Sequence, residues 1–315
     1  MENAIELEGV EKRFGAKVAV DGLSLEVPRG CIYGFLGPNG AGKTTTLRMV
    51  IGIFYPDAGR ISVLGQSDPA AVKERIGYLP EERGLYEKMR VGDLMTYFGQ
   101  LKGMETGSAR KRALELLQRY GLGESADKKC QALSKGMAQK AQILATLIHE
   151  PELIILDEPF SGLDPLNRDL MRDLILQLKR EGRSVIFSTH IMEQAEQICD
   201  RVLLIDDGKK ILDGELSQVR ASAGQEIRLD YDGDGDFLND LPGVAGANDS
   251  GKQAELIMEE GADPQVVLAA LVAAGVRVRR FDLRELSLHE IFIRAVGDGE
   301  RVEGDTGGAG GGEDR

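Results

Sequence analysis

Residues Gly37-Pro38-Asn39-Gly40-Ala41-Gly42-Lys43-Thr44-Thr45 have the types and spacing to hold phosphate. They read G-x-x-x-x-G-K followed by Thr, the pattern of a phosphate loop. Three glycines let the backbone take positive φ and turn several N–H groups toward one concavity. The helical pattern from Thr45 to Ile51 adds the partial positive charge of a helix N-terminus. Lys43 supplies a mobile point charge for the outer phosphates, and Thr44 a hydroxyl for Mg²⁺. A second group is Asp157-Glu158, which ends the apolar run Leu153-Ile154-Ile155-Leu156. Asp157 suits a Mg²⁺ role. Glu158, one residue further, is placed to polarise a water attacking a γ-phosphate.

Both groups need strands to present them. The apolar run Cys31 to Leu36 leads into the loop, and Leu153 to Leu156 leads into the carboxylates. Such runs mark strands buried on both faces, and ligands bind at the C-terminal edge of parallel sheets. Alternating segments at 3–10 and 17–27 predict half-buried strands, and further strands are expected at 61–65, 76–79, 184–188, 201–206 and 209–213. Val72 to Arg75 reads as a short helix. Between about 83 and 150 strand signals vanish, and helices are expected at 91–102, 109–120 and 136–149. Asp164-Pro165 predicts a capped helix with Leu166, Leu170, Leu174 and Leu178 along one face. A separate α+β unit is expected over 225–296, with strands near 226–231, 254–259 and 276–282 and helices near 263–274 and 286–295. The segment 297–315 is glycine-rich with almost no apolar content, which predicts a disordered tail.

At 315 residues one or two domains are expected, and 42 % apolar content supports a full core. The formal net charge of −13 is uneven, −2 over residues 1–220 and −11 over 221–315. That acidic third argues against a nucleic-acid role, which calls for a basic face. Cys31, Cys130 and Cys199 lack metal or disulfide spacing, so a reducing compartment is expected. The opening Met-Glu-Asn-Ala-Ile-Glu has no signal-peptide pattern, and no apolar run approaches the ~18 residues of a membrane span. Work at a membrane would require another chain to do the spanning.

Between the two groups lies Leu133-Ser134-Lys135-Gly136-Met137-Ala138-Gln139-Lys140. It is similar to the signature L-S-G-G-Q-x-Q, then Arg or Lys, of ABC (ATP-binding cassette) transporters, with Lys135 in place of a glycine and Met137 in place of a glutamine. With the phosphate loop and Asp157-Glu158, residues 1 to about 220 resemble the nucleotide-binding subunit of that family. The resemblance implies that Ser134 and Gly136, at a helix N-terminus, face the nucleotide held by a second cassette. Two chains, as a homodimer or heterodimer, would then sandwich two ATP molecules. Ser161-Gly162-Leu163-Asp164 resembles the D-loop, which places Asp164 at the opposite site. His190 matches the switch histidine that contacts the γ-phosphate, and Phe14 the aromatic on which adenine stacks. Glu81, in Tyr78-Leu79-Pro80-Glu81, stands where the family has the Q-loop glutamine that touches Mg²⁺ and the membrane partner; Glu82 offers a second register for that match. His149 and His289 match no motif and are read as structural. Residues 225–296 resemble the accessory domain of exporter ATPases in the sodium-efflux and ABC-2 group, through Leu283-Arg284-Glu285-Leu286-Ser287-Leu288-His289-Glu290-Ile291-Phe292.

The resemblance implies an α/β fold. A P-loop ABC cassette with a mixed central sheet, an antiparallel β subdomain and an inserted helical subdomain precedes a small α+β domain. It implies an ATP-hydrolysing subunit that uses ATP and Mg²⁺ to power a membrane exporter through head-to-tail dimerisation. The partner would be a separate transmembrane permease subunit, with no nucleic acid. The location would be cytoplasmic, peripheral on the inner face of the cell membrane. Two other readings stand beside it. One is a soluble ABC ATPase acting on ribosomes or DNA, disfavoured by the single cassette, the lack of a heptad run and the acidic third. The other is an ATP-gated regulatory module with weak turnover, motivated by Lys135, Met137 and Glu81.

Overall fold

The computed structural model describes residues 2–81, 84, 86–259 and 261–304. Glu82 and residues 305–315 of the glycine-rich tail lie outside them. The chain divides into two compact units, Met1–Asp213 and Gly214–Arg315. The boundary falls slightly before the expected 220–225.

In the first unit, β1 (Asn3–Phe14) and β2 (Lys17–Pro28) form a hairpin closed by Gly15-Ala16. The buried β3 (Ile32–Leu36) leads through the phosphate loop into α1 (Lys43–Val50), and β4 (Ala58–Val63) returns to pair with β1. The result is an antiparallel sheet in the order β2-β1-β4. The helix expected from Val72 is a 3-10 segment over Pro69–Arg75, capped by Asp68. After β5 (Ile76–Leu79), the helices α2 (Val91–Leu101), α3 (Thr106–Arg119) and α4 (Lys135–Thr146) make a helical insertion with no strand among the described residues. The core resumes with β6 (Leu153–Asp157), α5 (Pro165–Arg180), β7 (Ser184–Thr189), α6 (Met192–Ile198), β8 (Arg201–Asp206) and β9 (Lys209–Glu215).

The central sheet has the order β5-β6-β7-β3-β8-β9. Its pairs from β5 to β8 are parallel. The two-residue link from β8 to β9 allows only an antiparallel edge, so the sheet is mixed. Strands β3, β6 and β7 are buried along their whole length, as expected of their apolar runs, and the polar Asp157, Ser188 and Thr189 at the ends of β6 and β7 are buried with them. Leu36 lies opposite Thr189, and Asp157 opposite Ser188. Three strand ends therefore meet at one edge.

The leucine stripe of α5 is only half as expected. Leu174 and Leu178 are buried, but Leu166 is 71 % exposed and Leu170 is also exposed. The first two turns of this helix project beyond the core that the later turns cover. His149, read from the sequence as structural, donates from Nε2 to Ile76 O (3.1 Å), and burial pushes its pKa down to about 4.

Gly37 must be glycine. Its φ is 150°, and a Cβ there would lie 2.0 Å from the Ile205 carbonyl oxygen of β8. Gly37→Ala is expected to cost roughly 2 kcal/mol and lower the thermal midpoint by about 5 °C. Scanning calorimetry checks this; an unmoved midpoint would mean the loop can shift off Ile205 freely.

The second unit carries α7 (Leu216–Ser222), β10 (Gln225–Asp232), β11 (Val244–Asp249), β12 (Gln253–Met258), α8 (Pro264–Ala273), β13 (Arg277–Glu285) and α9 (Leu288–Gly304). Its antiparallel sheet has the order β11-β12-β10-β13. Ile227, Leu229, Tyr231, Leu256 and Met258 pack with Val267 and Leu271 of α8 in its core. Sequence reading misses α7 and β11. The Val-Ala-Gly-Ala-Asn-Asp segment has weak strand propensity, and pairing with β12 imposes its conformation. Helix α9 also continues to Gly304, past the expected end near 295 and into the segment assigned to the tail. Ser287 and Glu290 form a capping box at its start, and Arg284 and Arg294 both grip the buried Glu226 at 2.7 Å. Among the described residues no helix is long and apolar enough to cross a membrane.

Candidate functional site

The phosphate loop is built by close approach of backbones. Gly40 and Gly42 have φ of 86° and 103°, and a Cβ on Gly42 would meet Ala19 O at 2.4 Å. Only glycine allows this path and leaves the N–H groups at the start of α1 facing outward. Lys43 is 5 % exposed and donates to Gly37 O (2.7 Å) and Pro38 O (2.9 Å). Burial lowers its pKa, while Glu158, Asp157 and Glu81 oppose that shift. Its Nζ lies 4.0 Å from Glu158 Oε1.

The end of β6 supplies the carboxylates. Asp157 is 0 % exposed; its Oδ1 accepts from Thr44 Oγ1 (3.1 Å) and from Ser188 Oγ. Its Oδ2 is buried with no hydrogen-bond partner. A buried, unpaired carboxylate oxygen beside a threonine hydroxyl is a donor set for a hard divalent cation. Among the described residues no three His, Cys, Asp or Glu side chains gather to hold a metal unaided. Such a cation would need further oxygens from a phosphate ligand, the usual arrangement for Mg²⁺.

Glu158 is buried and sits at φ 48°, a left-handed backbone that non-glycine residues adopt at a cost. Its N–H donates to Ser188 Oγ (3.0 Å). His190 Nδ1–H donates to its carboxylate at 3.0 and 3.1 Å. A base held by a ring donor beside a phosphate loop is equipped to orient and deprotonate a water.

One open cleft of about 350 Å³ is lined by Phe14, Lys17, Asn39, Gly40, Gly42, Lys43, Thr44, Thr45, Glu81 and Glu158, among others. It gathers much of the expected set from β1, the loop, β6 and the segment after β5. Phe14 is 46 % exposed and makes a T-shaped contact with Phe54, so much of its side chain is open at the cleft.

Ser134, Gly136 and Asp164 do not line this cleft. They gather with one another instead. Ser134 caps α4 by accepting from Met137 N (3.3 Å), and Asp164 caps α5 by accepting from Asn167 N (2.9 Å). A Cβ on Gly136 would collide with the Asn167 side chain, and one on Gly162 would lie 2.7 Å from Lys135 Nζ. The glycine at 136 is thus a packing requirement between two helix starts. Sequence reasoning missed the parts played by Ser188, Lys17 and Asn167. Ser188 has no motif of its own; only its register opposite Asp157 marks it.

The fold and the cleft define a P-loop nucleotide-binding cassette with a helical insertion. Known proteins carry this further. The ABC transporter family model matches residues 20–161, and the model of the ATP-binding protein DrrA1-3-like C-terminal domain matches 214–296. An uncharacterised ABC transporter ATP-binding protein of Bacillus subtilis, YhaQ, is 41 % identical over 292 residues, 92 % of this chain and 98 % of that one. The Nod factor export ATP-binding protein I of Burkholderia lata is 36 % identical over 297 residues, covering 93 % and 97 %. A solved ATP-binding subunit of an ABC transporter superposes with a TM-score of 0.63 at 30 % identity, covering 70 % of this chain and 92 % of that one. The chain belongs to the ATP-binding proteins of ABC transporters, a family of ATPases, and carries a DrrA-like C-terminal domain.

Proposed function

We propose that this chain is the ATP-hydrolysing motor of a membrane exporter and works as one of two cassettes beside a separate permease subunit. The observation that carries the reading is the meeting of Lys43, Thr44, Asp157, Glu158 and His190 at one sheet edge. Export is favoured by likeness to the Nod factor export protein along nearly the whole length. No helix among the described residues is long and apolar enough to cross a membrane, which is in keeping with a permease carried on another chain. This reading places the protein at the cytoplasmic face of the membrane.

Phe14 takes the adenine, and the loop N–H groups of Gly40 to Thr45 with Lys43 take the phosphates. Thr44 and Asp157, with Glu81 nearby, would hold Mg²⁺, and the ion would supply charge neutralisation at the phosphate oxygens. Glu158 accepts a proton from the attacking water while His190 fixes its carboxylate and faces the γ-phosphate. Ser134, Gly136 and Asp164 lie apart from their own chain's cleft, which suits service to the nucleotide of the second cassette.

The test is steady-state phosphate release from MgATP across a range of protein concentrations. Specific activity should climb with concentration, because each site needs two chains. Activity independent of concentration would remove the pairing, and no release at any concentration would remove the ATPase role. Co-purification of a polytopic membrane protein tests the permease.

Asp157→Asn keeps the shape of the side chain but removes its charge. It should raise the Mg²⁺ concentration for half-maximal activity by about tenfold or more, reflecting a lost charge-assisted contact. An unchanged Mg²⁺ titration would remove Asp157 from the metal.

A further inference from the structure

We propose that Lys17 is a nucleotide-binding residue, a second cation beside Lys43 that engages the polyphosphate of ATP. The proposal rests on the reading of the cleft as the ATP site. Phe14 and Lys17 are directly paired across the two-residue turn Gly15-Ala16, where Gly15 has φ 60°. Directly paired residues of a hairpin project from the same face, their Cβ atoms about 5 Å apart. An aromatic ring and an ammonium therefore stand side by side at the cleft wall, and both line it. The Lys17 Nζ reaches the phosphate loop: a Cβ on Gly40 would find it as its nearest neighbour, at 4.0 Å.

The neighbouring cations are committed elsewhere. Lys12 Nζ, which lies 5.7 Å from the Phe14 ring centroid, is paired with Asp57 at 2.8 Å and donates to Tyr55 O at 2.7 Å. Lys43 is held by two loop carbonyls. Among the described residues Lys17 makes no ion pair with a carboxylate. An exposed ammonium at the mouth of an anion-binding loop gains a partner when a polyphosphate arrives, and needs to break no contact to do so. The hairpin that presents the aromatic for the base presents the cation for the phosphates in the same register. A long, flexible side chain also spans the short distance to the loop without backbone movement.

Calorimetric titration of the full chain with ATP tests this, using wild type, Lys17→Met and Lys17→Arg at low salt and at high salt. Lys17→Met should raise the Kd for ATP roughly five- to tenfold at low salt, a partly exposed charge-assisted contact being worth less than a buried one. The deficit should shrink at high salt, which screens the wild-type contact. Lys17→Arg should stay within about twofold of wild type, and all three proteins should melt together. Wild-type affinity in Lys17→Met overturns the proposal, as does an equal weakening in Lys17→Met and Lys17→Arg, which would point to the hairpin's shape. A wild-type protein that binds no ATP overturns the proposed function itself.

Discussion

Glu158→Gln is expected to lower phosphate release by about 10²–10⁴-fold while ATP binding persists, the range a positioned general base contributes. The amide has the size of the carboxylate and fits the same pocket, so the left-handed turn at φ 48° and the bond to Ser188 should survive. His190 Nδ1–H still finds an oxygen to donate to. What disappears is the capacity to take a proton and one negative charge near Lys43, 4.0 Å away. Removing a negative charge from the wall that faces the γ-phosphate favours the nucleotide. Hence the variant should accumulate as an ATP-bound pair of chains. Light scattering with ATP and with ADP reads this directly: a mass near twice the monomer with ATP alone supports it. Turnover equal to wild type would take the role of base away from Glu158.

Lys43→Ala is expected to weaken ATP binding by about 100-fold or more. A charged donor to phosphate is worth about 1.5–3 kcal/mol per hydrogen bond, and a lysine offers more than one. The loss is compounded by what stays behind. Asp157 and Glu158 are buried close by and would face the incoming polyphosphate without the ammonium that offsets them. The fold should tolerate the change better than the function does, since burial already opposes the charge on Lys43. Calorimetry with ATP measures the first effect and thermal melting the second. A Kd within a few-fold of wild type would assign the phosphates to the backbone N–H groups alone.

The phosphate loop and the carboxylates were legible in the sequence because each is contiguous. Gly37, Gly40 and Gly42 encode a backbone path, and the apolar runs before Gly37 and Asp157 encode buried strands. Other features depend on pairing. β11 has little strand character and exists by virtue of β12. Leu166 and Leu170 share a spacing with Leu174 and Leu178, yet periodicity does not say how far the core extends along a helix. The glycine count of the last segment hid the continuation of α9 to Gly304.

By itself the sequence determined which groups are offered for the proposed chemistry: a loop of the phosphate-binding pattern, a hydroxyl and carboxylate of the types that suit Mg²⁺, and a glutamate of the type that serves as base. Tertiary structure decided which residues share a cleft. The order β6-β7-β3 brings Glu158, His190 and Lys43 to one edge although Lys43 and His190 are 147 positions apart in the chain. The β6–β7 register makes Ser188 the partner of Asp157, and a two-residue turn sets Lys17 beside Phe14. Local sequence fixes what a side chain can do; strand order and register, set by burial of apolar faces, fix what it can reach.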